Sequence, residues 1–455
     1  MSRPSALLFA PSLRKEGVLL SGTHTSELLY LGQYLFDNGF DVGLVDAYAD
    51  PREEARMLGR QQPDYIVVDL WKNESLLGDE LHRLLSFIRD AKNVWAGTRS
   101  VFIGSISASI VRELLGDGTV VDAVVTQHDA ATRPDDRTVD SIRDLDIIRR
   151  YFEPRSAPRL TEEFLKSAEL VLRPGDIVSL YSSKGCRKAC SFCSYNRHIE
   201  RRTVRPIEDL VSDIALVVRS FGVTRFALAD NNFGDDPRET LARVNEFLKC
   251  RKPYAIDGIQ LSLNMSCDGL TEAVLDGFKA MGVNSILLGL ESFDPKTLSH
   301  IFHKRLDLGH FRRMVNYAER IGITPVVSYI LFHPWLTYEQ LRSQVDEIAE
   351  FGRYRLVHFL AKSLLQVVPG TSIEQRLTSE GLLTGGGMNR SFVFKDERVA
   401  NVYTSLRGFF DAHYPDFNQS TTELARLKIA EWHFLTELLD DARPALQRGS
   451  SRQGE

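Results

Sequence analysis

At 455 residues the chain is long enough for two or three domains with ample cores. Its 43% hydrophobic and 26% charged content is ordinary for a globular protein, and a net charge of −5 exerts no general pull on nucleic acid or an anionic membrane. Met1-Ser2-Arg3-Pro4 leads into a short apolar run without a cleavage site, and no apolar stretch reaches spanning length, so a cytoplasmic chain is expected, with neither membrane nor nucleic acid as partner. Of five cysteines, Cys250 and Cys267 stand alone, which argues against a secreted disulfide framework and for buried or half-buried thiols.

Residues 1–150 read as a Rossmann-like unit of alternating strand and helix. Strand Ala6–Ala10 is followed by helix Ser26–Asn38, closed by Gly39, and by strand Val42–Asp46. A helix near Pro51–Gln61, strand Tyr65–Asp69, a helix near Leu81–Ala91, strand Val101–Gly104, helix Ile110–Leu115 and strand Ala123–Val125 complete it. Short apolar runs between helices predict a parallel sheet covered on both faces, with ligands outside the carboxyl ends of its strands. Those ends are Pro11-Ser12, Asp46-Ala47-Tyr48, Asp69-Leu70-Trp71 and Gly104-Ser105.

Residues 151–175, at the end of a polar, proline-broken stretch, predict a linker with a helix around Thr161–Leu172. Strand–helix alternation resumes over 176–372. Strands are expected at Ile177–Tyr181, Arg225–Ala229, Gly258–Leu263, Asn284–Leu288, Pro325–Leu331 and from Val357 onward, with helices at Ile207–Phe221, Arg238–Cys250, Thr271–Met281, Leu308–Ile321 and Tyr338–Phe351. Six strands are fewer than a full eight-stranded barrel needs. Residues 373–455 carry a turn at Gly385-Gly386-Gly387, helical periodicity through Leu427–Leu439 and a tail expected to be disordered.

Three cysteines, Cys186, Cys190 and Cys193, lie within eight residues just after the strand Ile177–Tyr181. A loop that tight can aim three thiolates at one centre, and Lys184, Arg187 and Lys188 are expected to favour the thiolate form. Soft thiolates select zinc or an iron–sulfur cluster. Zinc wants a fourth ligand, for which His198 is available. Three cysteines with an open position suit a [4Fe–4S] cluster.

The Cys-x3-Cys-x2-Cys spacing, with Phe192 before the last cysteine, resembles the radical S-adenosylmethionine (SAM) superfamily. The resemblance implies an α/β protein: a Rossmann-like, cobalamin-binding-type domain, then a partial (β/α)6 barrel and a helical C-terminal region. It implies that the free iron of the cluster chelates SAM. It further implies that Phe192 packs on adenine, that Asn264 or Ser266 faces the SAM carboxylate, and that Glu291 of Gly289-Leu290-Glu291-Ser292 holds the ribose. Asp230 and Asn232, in Ala229-Asp230-Asn231-Asn232-Phe233, are the expected catalytic residues. Val368-Pro369-Gly370-Thr371 resembles a turn common in the cobalamin-domain subgroup. His333 and Trp335 stand where relatives more often show a glycine–proline–glycine turn.

Cobalamin itself is not expected in this unit. The cobalt-ligating Asp-x-His-x-x-Gly pattern is absent, the histidines being His24, His82 and His128, and Tyr48 and Trp71 stand at strand ends. Domain order and size resemble the radical SAM diol dehydratases of aminoglycoside deoxygenation. That likeness implies a cationic amino-sugar diol such as paromamine as substrate, and acidic residues at the strand ends (Asp230, Asp235, Asp236, Glu291) are compatible with it. It also implies an electron donor such as flavodoxin or ferredoxin, and an NADPH-dependent reductase acting on the product. A cobalamin-dependent radical SAM methyltransferase is the alternative. The Rossmann-like unit could instead serve packing or a homodimer.

Overall fold

The apolar runs of the sequence become two parallel sheets. A computed structural model of the chain describes residues 3–9, 23–24, 26–45, 61–69, 78–104, 120–126, 145–151, 157–168, 172–193, 202–254, 256–386, 390–414 and 421–441. In the N-terminal part, β1 (Ser5–Phe9), β2 (Thr23–His24), α1 (Ser26–Asp37), β3 (Asp41–Val45), β4 (Tyr65–Asp69), α2 (Gly78–Val94), β5 (Arg99–Gly104) and β6 (Ala123–Thr126) follow in order. Five of these strands form one parallel sheet in the order β3-β1-β4-β5-β6. Leu8, Val67, Val101 and Ile103 on one face and Ile66, Val68 and Phe102 on the other are fully buried, as expected of strands covered on both faces. The helices expected at Pro51–Gln61 and Ile110–Leu115, and the strand ends at Pro11-Ser12, Tyr48, Trp71 and Ser105, lie outside the described residues.

Helix α3 (Leu145–Tyr151) ends the first unit at its boundary with the stretch read as a linker, and α4 (Glu162–Ser167) lies within that stretch. Thr161 caps α4 through the Phe164 N–H at 3.2 Å. Phe164 lies so close to Gly32 of α1 that a Cβ there would meet its ring at 2.7 Å. The linker is therefore folded onto the first unit.

The second sheet takes β7 (Ile177–Leu180), β10 (Arg225–Leu228), β11 (Gln260–Met265), β12 (Val283–Glu291) and β13 (Thr324–Tyr329). Between β7 and β10 lie the short pair β8 (Ser183–Lys184) and β9 (Thr203–Val204). Helices α5 (Ile207–Phe221), α6 (Pro237–Cys250), α7 (Glu272–Met281), α8 (Leu308–Arg320) and α9 (Tyr338–Phe351) cover the outside. The order is β13-β12-β11-β10-β7-β2, all parallel. Its outermost member is thus β2 from the N-terminal part, with Thr23 opposite Ile177 and His24 opposite Val178.

The sixth strand expected from Val357 onward is not a regular strand. It is reduced to isolated bridges, Val327 to Leu356 and Phe332 to Leu364, between short 3-10 turns. The C-terminal helices α11 (Glu397–His413) and α12 (Thr421–Asp441) close this edge with side chains, after α10 (Ser372–Ser379). Lys428 donates to the Leu356 and Val357 carbonyls at 3.1 Å each, and buried Glu431 accepts from the Leu360 and Ala361 N–H groups at 2.8 Å each. Backbone groups denied a ladder still need partners. α11 was not expected from the sequence, and the predicted disordered tail beyond Asp441 lies outside the described residues. Among the described residues no helix is long and apolar enough to cross a membrane.

Candidate functional site

Burial alternates along the second sheet. Leu261, Leu263, Ile286, Leu288 and Val327 are buried beneath the helices, whereas Ser262, Asn264, Ser285, Gly289 and Ser328 are half-buried on the opposite, concave face. The period-two pleat therefore gives the interior a row of mostly small and polar side chains, with Leu287 and Val326 among them. The strand ends at one rim of that interior carry the cysteine loop.

The root of the loop is held by a buried polar assembly. Asp230, at the end of β10, accepts the Ser182 N–H at 3.2 Å, the Ser182 hydroxyl at 2.9 Å and the Ser183 hydroxyl. Buried Arg243 donates to the Ser182 hydroxyl and lies 4.8 Å from the centre of the Phe233 ring; burial pushes its guanidinium below the usual range. Buried Arg202 donates to the Phe233 carbonyl at 2.7 Å and pairs with Asp235 and Glu239. Asn231 accepts the N–H of Gly185, whose φ of +86° sets the turn into Cys186. Asn232 joins two strand ends, donating to Asp235 and accepting the Ser266 N–H, each at 2.8 Å. Asp236 caps α6 through the N–H groups of Arg238 and Glu239. Asp230, expected in acid–base work, is thus placed beneath the loop with both oxygens accepting hydrogen bonds.

The far end of the loop is held by its backbone and by apolar contacts. Ser191 N–H donates to the Phe302 carbonyl at 3.0 Å, and the Ser191 carbonyl accepts from Ile373 N–H and the Ser372 hydroxyl at 3.2 Å each. Ser372 and Ile373 open α10, which Thr371 of the Pro369-Gly370-Thr371 turn caps. Phe192 meets Phe302 edge-to-face, with centroids 5.4 Å apart, and Phe302 meets His333 likewise at 5.7 Å. His333 is fully enclosed, its Nδ1 makes no hydrogen bond, and burial lowers its pKa to about 3. It belongs to the wall behind Phe192. Trp335 turns outward, stacked under Arg376 at 4.1 Å and donating to Glu380 at 2.7 Å.

The three cysteines are half-buried, and the Cys186 sulfur accepts the Lys188 N–H at 3.4 Å. The basic neighbours do not act as expected. Burial outweighs them and raises the Cys186 and Cys190 thiols above their ordinary value. Lys184 lies over the rings of Tyr181 and Tyr151, at 4.6 and 4.9 Å, Arg187 pairs with Asp235 at 3.4 Å, and Lys188 pairs with Asp268. The cation that acts most on Cys190 is Lys304, from the segment after β12, with Lys188 a lesser one.

Lys304 pairs with Glu291 at 3.0 Å and donates to the Gly289 carbonyl at 2.7 Å, while Ser328 donates to the other Glu291 oxygen at 3.0 Å. Burial works to lower the Lys304 ammonium, but Glu291 and Cys190 outweigh it and hold it above its usual range. The partner of Glu291 is therefore Lys304. A Cβ on Gly289 would meet Glu291 Oε1 at 2.5 Å and Lys304 Nζ at 2.6 Å, so the glycine leaves room for the pair. Glu291 has a left-handed φ of +69° at a register shift between β12 and β13. Such backbone costs about 1–3 kcal/mol and persists where the surroundings enforce it. Asn264 donates to the Asp230 carbonyl at 3.3 Å, and the Ser266 hydroxyl donates to Asp268. Glu291, Asn264 and Ser266 are thus gathered near the loop, whereas His198 lies outside the described residues.

Residues 180–351 match the family described as the Radical SAM superfamily. The chain carries a radical SAM domain. No curated protein matches the sequence. Among solved structures, the chain is similar to the radical SAM methyltransferase TsrM from Kitasatospora setae, solved with cobalamin and a [4Fe–4S] cluster, at 16% identity over 84% of this chain and 78% of that one, with a TM-score of 0.61. It is also similar to the cobalamin-dependent radical SAM enzyme OxsB, solved with aqua-cobalamin and SAM, at 13% identity over 99% of this chain and 74% of that one, with a TM-score of 0.66. At these identities the likeness is one of fold, and it extends through the N-terminal sheet.

A radical SAM domain implies an enzyme with a [4Fe–4S] cluster and SAM. The donor set of the loop fits the cluster: three thiol sulfurs, one of them already meeting a backbone N–H, leave one iron for an outside ligand. Among the described residues no group of three or more His, Cys, Asp or Glu side chains is gathered as a site for a single metal ion. Arg202, Arg243 and Lys304, which build the site, were not singled out from the sequence. Arg202 stands in the basic run Arg201–Arg205, which is a signal; the other two carry none.

Proposed function

We propose that the protein is a cobalamin-dependent radical SAM enzyme that methylates a small polar substrate. The observation that carries this reading is the extent of the fold likeness: TsrM and OxsB, solved with cobalamin, match across both sheets of this chain. The five-stranded parallel sheet supports it, because its strand ends share one edge, where β5 closes on Gly104 without a side chain. This reverses the expectation from the missing histidine motif. Tyr48 and Trp71, which had counted against a corrin, lie outside the described residues.

When bound, the cluster supplies one electron to cleave SAM, and cobalamin carries a methyl group. Cys186, Cys190 and Cys193 hold the cluster. Asp230, Arg202 and Arg243 fix the loop root, and Asn231 fixes Gly185. Phe192 offers an apolar face toward SAM, while Glu291 and Asn264 bind its polar groups. Ser262, Ser285 and Ser328 line the interior where substrate enters. The electron comes from an external donor such as flavodoxin or ferredoxin.

The test is anaerobic reconstitution with iron and sulfide, followed by a cobalt assay and turnover with and without hydroxocobalamin. Stoichiometric cobalt and cobalamin-dependent formation of S-adenosylhomocysteine with a methylated product are expected. Formation of 5′-deoxyadenosine and methionine alone, without cobalt, would replace this reading with radical dehydration of an amino-sugar diol, whose product a separate reductase completes.

A further inference from the structure

A buried polar assembly joins the N-terminal unit to the root of the cysteine loop. Tyr30 of α1 donates its hydroxyl to Asp213 of α5 at 3.0 Å. Arg205, just after β9, donates to the Tyr30 hydroxyl at 2.7 Å, pairs with Asp213 at 2.7 Å and lies 4.7 Å from the Tyr30 ring centre. The second Asp213 oxygen accepts the Leu160 N–H at 2.9 Å, and Arg205 also donates to the Pro158 carbonyl at 3.0 Å. All three side chains are buried.

This assembly reaches the loop by two routes. The Arg205 N–H donates to the Ser182 carbonyl at 2.8 Å, four residues before Cys186. The Tyr30 ring meets Tyr181 edge-on at 4.6 Å, and the Tyr181 hydroxyl lies 3.3 Å from that of Tyr151 on α3. Between the Tyr151 and Tyr181 rings sits the ammonium of Lys184, two residues before Cys186. The pairing of β2 with β7 adds a backbone attachment at the same edge.

We propose that Tyr30 and Tyr151 are positioning residues for the cluster, so that the N-terminal unit, with its last helix α3, forms part of the metal site rather than a separate carrier domain. This rests on the reading of the cysteine loop as a cluster site. Buried ion pairs contribute little net stability, and their best-attested use is to specify one arrangement. Here the arrangement specified is that of Ser182 and Lys184. Opening the tyrosine box changes where the Lys184 charge lies relative to the cysteines, and with it the field at the cluster.

The experiment uses the full chain reconstituted anaerobically with iron and sulfide. It reads the midpoint potential by EPR-monitored titration and the rate of iron release to a chelator. Tyr151→Leu should shift the potential and speed release about tenfold, in line with losing one desolvated cation–π contact. Tyr151→Phe, which keeps the ring, should restore both, and Tyr30→Phe should give a smaller change of the same sign. As a control, Glu431→Gln at the opposite edge of the barrel should lower stability and leave both readouts alone. The proposal is overturned if folded Tyr151→Leu and Tyr30→Phe proteins match the unaltered chain, or if Glu431→Gln moves the readouts equally. Failure of the unaltered chain to take up iron would instead refute the cluster reading.

Discussion

At its start the cysteine loop hangs from Asp230, Arg202 and Arg243, charged groups buried beneath Ser182 and Ser183. At its end it rests on Phe302, itself backed by His333, where the polar contacts are neutral ones of Ser191: its backbone to Phe302, Ser372 and Ile373 and its hydroxyl to the Ile301 carbonyl. The polar root fixes direction, because hydrogen bonds tolerate only narrow geometry. The apolar end fixes position by volume and yields more readily to exchange of side chains. A loop that must present three sulfurs in one orientation gains from being directed at its root and cushioned at its tip.

The comparison can be tested from the largest effect downward. Replacing Cys186, Cys190 and Cys193 together with alanine should abolish iron uptake and SAM cleavage while leaving the melting temperature of the metal-free chain little changed, since neither anchor relies on the three thiol side chains. Iron analysis and thermal melts check this. Asp230→Ala should destabilise the chain by about 3–5 kcal/mol, because it strands buried Arg243 and the two serine hydroxyls. Chemical denaturation would show it, and a loss below 1 kcal/mol would mean that the polar root does not carry the loop. Glu291→Ala should weaken SAM binding by roughly 1–3 kcal/mol without loss of iron; calorimetry giving an unchanged affinity would move the ribose contact elsewhere.

The apolar end carries an effect that depends on pH and is absent at neutral pH. The folded-state pKa of His333 is depressed to about 3, against an ordinary 6.5. Between those values the unfolded chain binds a proton that the folded chain refuses. Stability from this group is therefore present above pH 6.5 and lost as pH falls toward 3. His333→Leu should flatten that part of the acid limb in denaturation measured from pH 7 to pH 4. An unchanged slope would show that another group sets it.

Much of the plan was legible without coordinates because it rests on local pattern. Helices Ile207–Phe221 and Tyr338–Phe351 fall where apolar periodicity and the turn residues place them. The cysteine spacing marks the site because its ligands lie within one loop. The partners of that loop were not legible. Lys304 lies 114 residues from Cys190 and reaches it only when β12 lies in the same sheet as β7. The sixth strand failed because Val357 onward is apolar enough for a strand, while a helix about 70 residues later supplies the polar partners that its backbone lacks.

By itself, the sequence determined the two parallel sheets and the three thiols, since both follow from residue type and short-range spacing. Tertiary structure decided which charges act on the cysteines. Lys184, Arg187 and Lys188 are their neighbours in sequence, yet each is engaged by an aromatic or acidic group from a distant element; Lys188 still acts on Cys186 and Cys190, and Lys304 is the stronger cation at Cys190. Electrostatic energy depends on distance and burial in three dimensions, and a linear chain specifies neither until it folds.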